Sequence, residues 1–432
     1  MTLNKKRRVA FIAHALAPGY LSTDLISQRL TELGKTWPDI ESGENPGFIK
    51  WFSTEFQAPT GVEGVESVVM DFYIIPVFAT PFLKAVYAGK AYKWTEAVAL
   101  HAINEACEAD EELYLGWGAL TKNATNHGEL FLQRNKALCE RCDVHTTHGD
   151  AGTAALVLKA LHNIQLSRGS RVAVVGANGV IGRAVAMMLP QYHVEEITLV
   201  GRSDKLGETK KLDRLLSLKA EVEKSCKRYA NGTCTRVTIS QDHTCAALDN
   251  ESNVVVMSTI GVEIKPEQVP HGTVIVDLTT PASCNTEKDW HGRIPFTAGC
   301  GIIPKEMMPK GFAMGSKHLF DVGAAVTSLG GERVLWGCAL ETIVRAMYGR
   351  KGHISGHEID PKETVWAYKA FKKLDIKPQS PVSLGKKISS WMLLQTVVNI
   401  HALQSMRPEE FNVVLEVFAS DSTTKAVIYA VK

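Results

Sequence analysis

The chain has 432 residues, 45% of them hydrophobic and 22% charged, with a formal net charge of +2. That length exceeds one ordinary core and implies two or three domains of a soluble globular protein. Such a balanced charge gives no electrostatic ground for a nucleic-acid or membrane partner. The nine cysteines are scattered and odd in number. This is unlike a small secreted framework, so reduced thiols in a cytoplasmic protein are expected.

The opening, MTLNKKRRVAFIAHALAPGY, sets four basic residues before an apolar run. Residues 9–13 have only a strand's length, and the turn signal APGY follows. A first strand is expected there rather than a secretion signal. No apolar run approaches the roughly 20 residues of a membrane span. Next come a helix in STDLISQRLTEL capped by Ser22 or Thr23, a buried strand in VESVVMDFYIIPV, a helix in AYKWTEAVALHAINEACEAD and a strand in EELYLGWGAL. The alternation predicts an α/β domain over residues 1–150. A helix follows over 149–166, where Thr153, Ala154, Val157, Leu158, Leu161 and Ile164 form an apolar stripe.

The strongest local signal is SRVAVVGANGVIGRAVAMML: a short apolar strand, a glycine turn and a helix. In this setting Gly176 permits the tight turn, Gly179 admits a pyrophosphate to the backbone and Gly182 lets helix and strand pack closely. Asn178, Val180 and Ile181 lie within the same turn, whose helix N-terminus favours phosphate. The second strand ends in Gly201, Arg202 and Ser203, with Lys205 close by. An arginine there suits a 2′-phosphate, so NADPH is expected over NADH. NVVVMSTIG and GTVIVDLTTP read as later parallel strands whose ends bring Thr259, Asp277 and Thr279 towards a ligand, and RIPFTAGCGII as a last short one. The polar segment KSCKRYANGTCTRVT reads as an excursion from the sheet. Residues 151–327 thus form a central Rossmann domain.

Residues 328–432 read as a mainly helical region. TSLGGERVLWGCALETIVRAM predicts one helix over 330–349, with Ser328 as its cap and Cys338 on its buried face beyond the first turn. That position would give the cysteine little help from the helix dipole. A helix in ETVWAYKAFKKLDI follows, and SSWMLLQTVVNIHAL reads either as a helix packed at the subunit interface of a homo-oligomer, the commoner case, or as a membrane-surface helix. Cys139, Cys142, His145 and His148 recur at three-residue steps. They lack the two separated pairs of a usual zinc site, and no metal is expected.

Several segments together resemble the cyanobacterial-type long-chain acyl-(acyl-carrier-protein) reductases. They are VAFIAHALAPGYLSTD, LYLGWGALTKN, NKALCERCDVHTTHGDAGTAALVL, VAVVGANGVIGRAVAMML, VIVDLTTP and ERVLWGCALETIV, within roughly residues 8–375. The resemblance implies NADPH-dependent reduction of an acyl thioester, on acyl-carrier protein or coenzyme A, to an aldehyde. Cys338 matches the cysteine that carries the acyl group, with Glu341 at the acidic position after it. Gly176, Gly179 and Gly182 match the cofactor turn. A downstream aldehyde-using enzyme is an implied partner. The chain departs from the family by extra sequence at TWPDIESGENPG and KSCKRYANGTC and by about 55 residues beyond the similarity, an estimate read from the chain length. His145, His148 and His318 are candidate bases for Cys338, and the backbone of AGCG is a candidate oxyanion donor. Two other readings stay open: a shikimate-type NADP dehydrogenase with no covalent step, and a non-catalytic NADP-binding subunit.

Overall fold

The computed structural model describes residues 5–15, 46–203, 209–229, 235–308 and 334–379, apart from short interruptions within these ranges and a few isolated residues outside them. The expected helix at STDLISQRLTEL, the Ser328 cap, Lys205, His318 and the apolar tail lie outside the described residues. The chain divides into two compact units. The first takes in the described residues up to Thr153 and those between 300 and 377; the second takes in those from Ala154 to Gly299.

In the first unit, β1 (Arg7–His14), β2 (Ile49–Phe56), β3 (Val68–Ile75), β4 (Glu112–Trp117) and β5 (Val144–Thr147) form a sheet in the order β2-β3-β1-β4-β5. All pairings are parallel except that of β2, which runs antiparallel along β3 at the edge. Val9, Ala10, Phe11 and Ile12 are fully buried, as expected of a strand covered on both faces. Between β3 and β4 run α1 (Ala79–Tyr87) and α2 (Ala91–Glu108); α3 (Thr121–Ala124) and α4 (Glu129–Arg141) connect β4 to β5. Helix α5 (Asp150–Asn163) starts three residues after β5 ends.

One correction concerns the residues before Cys338. Val334–Trp336 is a strand, β13, antiparallel to β12 (Cys300–Ile302). Helix α8 (Gly337–Met347) begins only after it. The apolar spacing of Val334 and Leu335 fits a helix equally well; the pairing with Ile302 and Gly301 decides for a strand. Cys338 is therefore the second residue of α8, not a residue deep within a longer helix. Helix α8 is buried throughout and packs on β1 and β4. Gly116 of β4 lies where any Cβ would overlap Thr342 Oγ1, so the missing side chain allows this close approach. Helix α9 (Pro361–Lys373), capped by Asp360, matches the expected one.

A second correction concerns the thiols. Cys107, at the end of α2, and Cys142, just after α4, form a disulfide with 5.2 Å between their Cα atoms. Cys139, Cys284, Cys300 and Cys338 are free thiols, all buried.

The second unit holds β6 (Arg171–Val175), β7 (Glu196–Val200), β8 (Arg236–Ser240), β9 (Val254–Met257), β10 (Val274–Asp277) and β11 (Ile294–Thr297). Their order, β11-β10-β9-β6-β7-β8, with every pairing parallel, is the 3-2-1-4-5-6 arrangement of a Rossmann sheet. Helix α6 (Val180–Met188) follows β6, and α7 (Lys210–Tyr229) leads to β8. The expected excursion is thus shorter than its sequence suggests: its last residues, from Arg236, start the edge strand.

Candidate active site

At the carboxyl end of β6 the chain turns through Gly176, whose φ of +86° lies in the left-handed region that glycine favours. Gly179 donates its N–H to Gly176 O (2.8 Å) and then caps α6 in an extended conformation. A Cβ on Gly182 would overlap Gly176 O and lie 2.6 Å from Ser258 Oγ. Helix α6 has no side-chain cap and no acidic residue in its first turn. Its first N–H groups and the helix dipole suit a phosphate there. Val180 is buried and Ile181 half-buried. Thr259 is half-buried after β9, and a Cβ on Gly176 would lie 2.9 Å from Thr259 Cβ.

Two members of the expected set do other work. Asn178 donates from Nδ2 to Lys211 O (2.9 Å), tying the turn to α7, while its buried Oδ1 makes no hydrogen bond. Ser203 donates from Oγ to Gln241 O (2.9 Å). Arg202 is exposed at the end of β7. Asp277 is consumed by its own turn: Oδ1 accepts from Thr279 N–H (2.9 Å) and Oγ1 (2.6 Å), and Oδ2 accepts from Cys284 N–H (2.8 Å).

The chemistry-bearing cluster lies in the first unit. Gly149, at φ +70°, follows β5, and a Cβ on it would overlap Cys338 Cα and Cβ. The turn before α5 is therefore pressed against the first turn of α8. Around this contact are Lys122 from α3 and His148 and Asp150 from either side of Gly149. Lys122 pairs through Nζ with Asp150 Oδ1. His148 Nδ1 is 3.1 Å, and His127 Nδ1 3.4 Å, from Asp150 Oδ2. Burial pulls the Lys122 ammonium down, but Asp150, Cys338 and Glu341 outweigh it and raise its pKa. Burial likewise disfavours the Asp150 carboxylate, but Lys122 and the two histidines hold it well below the usual range.

Cys338 is buried, and burial pushes its thiol up. Lys122 and the N–H groups of Ala339 and Cys338 act the other way, and Asp150 adds to the rise. Its place in the first turn of α8 thus gives the thiolate the dipole and N–H groups that a deeper position would deny. Cys300, on β12, is pushed up to about 12, chiefly by burial and then by Cys338.

Of the candidate bases, His148 reaches the cluster; it is fully buried, and its Nε2 makes no hydrogen bond. His145 instead faces Glu112 (3.1 Å) and Asp143 (3.3 Å) at the opposite end of β5. Cys142 is in the disulfide and His145 has these other partners, so the regular Cys/His spacing does not become one ligand set. His127, His148 and Asp150 lie near enough together to ligate a cation. Yet Lys122 holds Asp150 Oδ1, and His148 Nδ1, 3.1 Å from Asp150 Oδ2, donates its N–H to that oxygen and leaves Nε2 bare. In AGCG, Cys300 and Gly301 belong to the β12–β13 ladder, whereas Gly337, Cys338 and Ala339 open α8.

Sequence reasoning missed Lys122, Asp150, His127 and Thr147 as members of this cluster. The signals present were a polar loop after β4 and an acidic residue opening α5.

No protein-family model matches the chain, and no curated protein does. Among solved structures, quinate dehydrogenase from Corynebacterium glutamicum in complex with NAD is 11% identical, with 92% of this chain and 100% of that chain covered and a TM-score of 0.32. The ligand-free 5-ketofructose reductase of Gluconobacter sp. strain CHM43 is also 11% identical, covering 92% and 99%, at a TM-score of 0.25. The first ketoreductase of the tylosin PKS is 11% identical, covering 85% and 96%, at 0.22. At these scores the likeness adds nothing to what the strand order already says of the fold.

Proposed function

We propose that the chain is an NADPH-dependent oxidoreductase that reduces an acyl thioester to an aldehyde through an acyl group carried on Cys338. The observation that carries this reading is a buried cysteine in the first turn of a helix, beside a lysine–aspartate pair and an unpartnered histidine nitrogen. Cys338 gives up its proton, with His148 as the accepting base, and its sulfur attacks the thioester carbonyl. The new carbon–sulfur bond forms as the old one breaks, and the carrier leaves as a thiol with that proton. The N–H groups of Cys338 and Ala339, with the Lys122 ammonium, stabilise the negative charge that develops on oxygen. A reduced dinucleotide held at the Gly176–Gly182 turn would supply the hydride equivalent that the reduction needs. Collapse of the hemithioacetal then frees the aldehyde and returns the Cys338 thiolate. Delivery by acyl-carrier protein, transfer of the aldehyde to a second enzyme, a cytoplasmic setting and homo-oligomerisation all belong to the same proposal. Among the described residues no helix is long and apolar enough to cross a membrane.

The Lys122–Asp150 pair favours a second reading. An ammonium held by a carboxylate also serves proton exchange with a ketone or alcohol, as in a hydroxy-acid dehydrogenase with no covalent step. Intact-protein and peptide mass spectrometry after mixing with a panel of acyl thioesters, without cofactor, decides. An acyl mass on the Cys338 peptide is expected. No adduct from any donor, with NADPH oxidised by a keto acid, establishes the second reading instead.

A further inference from the structure

Glu341 is a buried carboxylate one helical turn after Cys338. Both its oxygens are engaged, and both reach back to the other side of the cluster. Oε1 accepts from Thr147 Oγ1 at 2.7 Å, and Oε2 accepts from Gly152 N–H at 2.6 Å. Thr147 Oγ1 in turn accepts from Gly149 N–H at 3.0 Å. One carboxylate thus brackets residues 147–152, the stretch that carries His148, Gly149 and Asp150. A Cβ on Gly152 would lie 2.5 Å from Gly337 O and 2.6 Å from Glu341 Cβ. Two glycines, Gly149 and Gly152, therefore bring the starts of α5 and α8 together, and Glu341 bridges them.

A buried carboxylate is costly unless it is well satisfied. Here a hydroxyl and a backbone N–H in the first turn of α5 do so, and the positive end of that helix adds to them. Glu341 caps α5 from a different helix. The arrangement has no need of Glu341 for packing alone, since an apolar side chain would fill the same space at less cost. What the carboxylate adds is a fixed angle between the turn and Cys338.

We infer that Glu341, acting through Thr147 and Gly152, is a positioning residue that holds the His148–Gly149–Asp150 turn in register with Cys338 and so sets the reactivity of that thiol. The inference deepens the proposed function and rests on it for its catalytic meaning, but its test reads the thiol directly. The titratable groups around Cys338 are Lys122 from α3, His148 and Asp150 from the turn before α5, Cys300 from β12 and Glu341 on its own helix, with His127 behind Asp150.

The experiment follows the rate of Cys338 alkylation by iodoacetamide against pH, read on the Cys338 peptide, in the full chain and in Thr147→Val, Thr147→Ser and Glu341→Gln. Loss of a charge-assisted hydrogen bond is expected to slow alkylation at pH 7 about tenfold in Thr147→Val. Its pH midpoint moves upward as the Lys122–Asp150 pair shifts from the sulfur, and Thr147→Ser restores both. Glu341→Gln separates positioning from plain charge. Removing a negative charge would by itself ease ionisation and move the midpoint down, whereas lost registration moves it up. The Thr147 pair leaves Glu341 intact and covers the case in which Glu341→Gln fails to fold. Midpoints that stay or fall in Thr147→Val and Glu341→Gln overturn the inference, as does a native Cys338 that does not react. The expected shifts and their rescue by Thr147→Ser, seen without acyl transfer from any thioester, would instead sink the thioester reading and leave the role of Glu341 standing.

Discussion

The two units each contain a strand that runs into a glycine turn and then a helix, and the two turns are built to opposite ends. The Gly176–Gly182 turn has no acidic side chain in the first turn of its helix, and its helix start is uncapped. Its sequence strips side chains away so that backbone N–H groups can meet a ligand. The Gly149 turn uses the same backbone freedom to press a protein element, Cys338, against it, and surrounds that contact with Lys122, Asp150 and His148. A phosphate arrives carrying its own charge and needs bare donors. A thiol has to acquire its charge in place, so the protein must bury the compensating groups beside it. If this contrast is right, damage to each turn should be separable from damage to the other.

Cys338→Ser is the strongest break. It should abolish the acyl adduct and lower thioester-dependent NADPH oxidation on the order of a thousandfold or more. NADPH affinity, measured by fluorescence titration, should stay within about twofold, because the substitution leaves the Gly176–Gly182 turn untouched. Full turnover in Cys338→Ser would end the covalent reading.

Lys122→Met attacks the same turn through its charge balance. It leaves Asp150 a buried carboxylate without its ammonium, a loss of about 3–5 kcal/mol of stability at pH 7 by denaturant unfolding. The sign with pH follows from the shift. The Asp150 carboxyl is held below its ordinary value, so its contribution is present above the unfolded value of about 3.9 and is lost as pH falls through the lower folded value. In Lys122→Met the unrelieved burial raises that carboxyl instead, so acid protonates it and relieves the strain. The gap between native chain and variant is therefore widest near neutrality and narrows on acidification. A gap that does not change with pH would mean the pair is packing rather than charge.

Gly182→Val tests the other turn. Its Cβ would overlap Gly176 O, and in a close-packed turn this should weaken dinucleotide binding about a hundredfold. Acylation of Cys338 without cofactor should survive. Loss of both functions together would contradict the separation of the two turns.

The two turns also differ in how far the amino-acid order reveals them. The Gly176, Gly179 and Gly182 spacing is legible because each requirement is local and is met by the absence of a side chain within seven residues. The apolar runs of β6, β9 and β10 are legible in the same local way, whereas β8 starts inside a polar segment that reads as an excursion. The Cys338 cluster is assembled from far-separated stretches. Thr147 and Glu341 stand 194 residues apart, and Gly152 and Glu341 189. No spacing rule connects such positions. The sequence does single out Cys338 and His148, but not Lys122 or Asp150, whose roles exist only through their mutual burial. The start of α8 is hidden from the sequence for a related reason. Val334–Trp336 continues the apolar period of the helix, and only pairing with residues near Cys300 makes it a strand. That shift changes the chemistry, since it moves Cys338 from mid-helix to the dipole end.

The smallest expected effect sharpens the comparison most finely, because it concerns a single charge at the rim of the dinucleotide turn. Arg202 stands at the end of β7, exposed to solvent, where a dinucleotide bound along the Gly176 turn would place its adenosine ribose. An exposed guanidinium meeting a 2′-phosphate works in high dielectric and is screened by salt. Arg202→Ala should therefore cost only about tenfold in NADPH affinity, leave NADH affinity within about twofold, and lose most of the difference at high ionic strength. The buried Lys122–Asp150 pair should show little of that salt dependence, being out of reach of the ions. Equal losses for NADPH and NADH would show that Arg202 supports the turn rather than reading the phosphate. The charged partner of the second unit would then have to be sought elsewhere on the rim of its sheet.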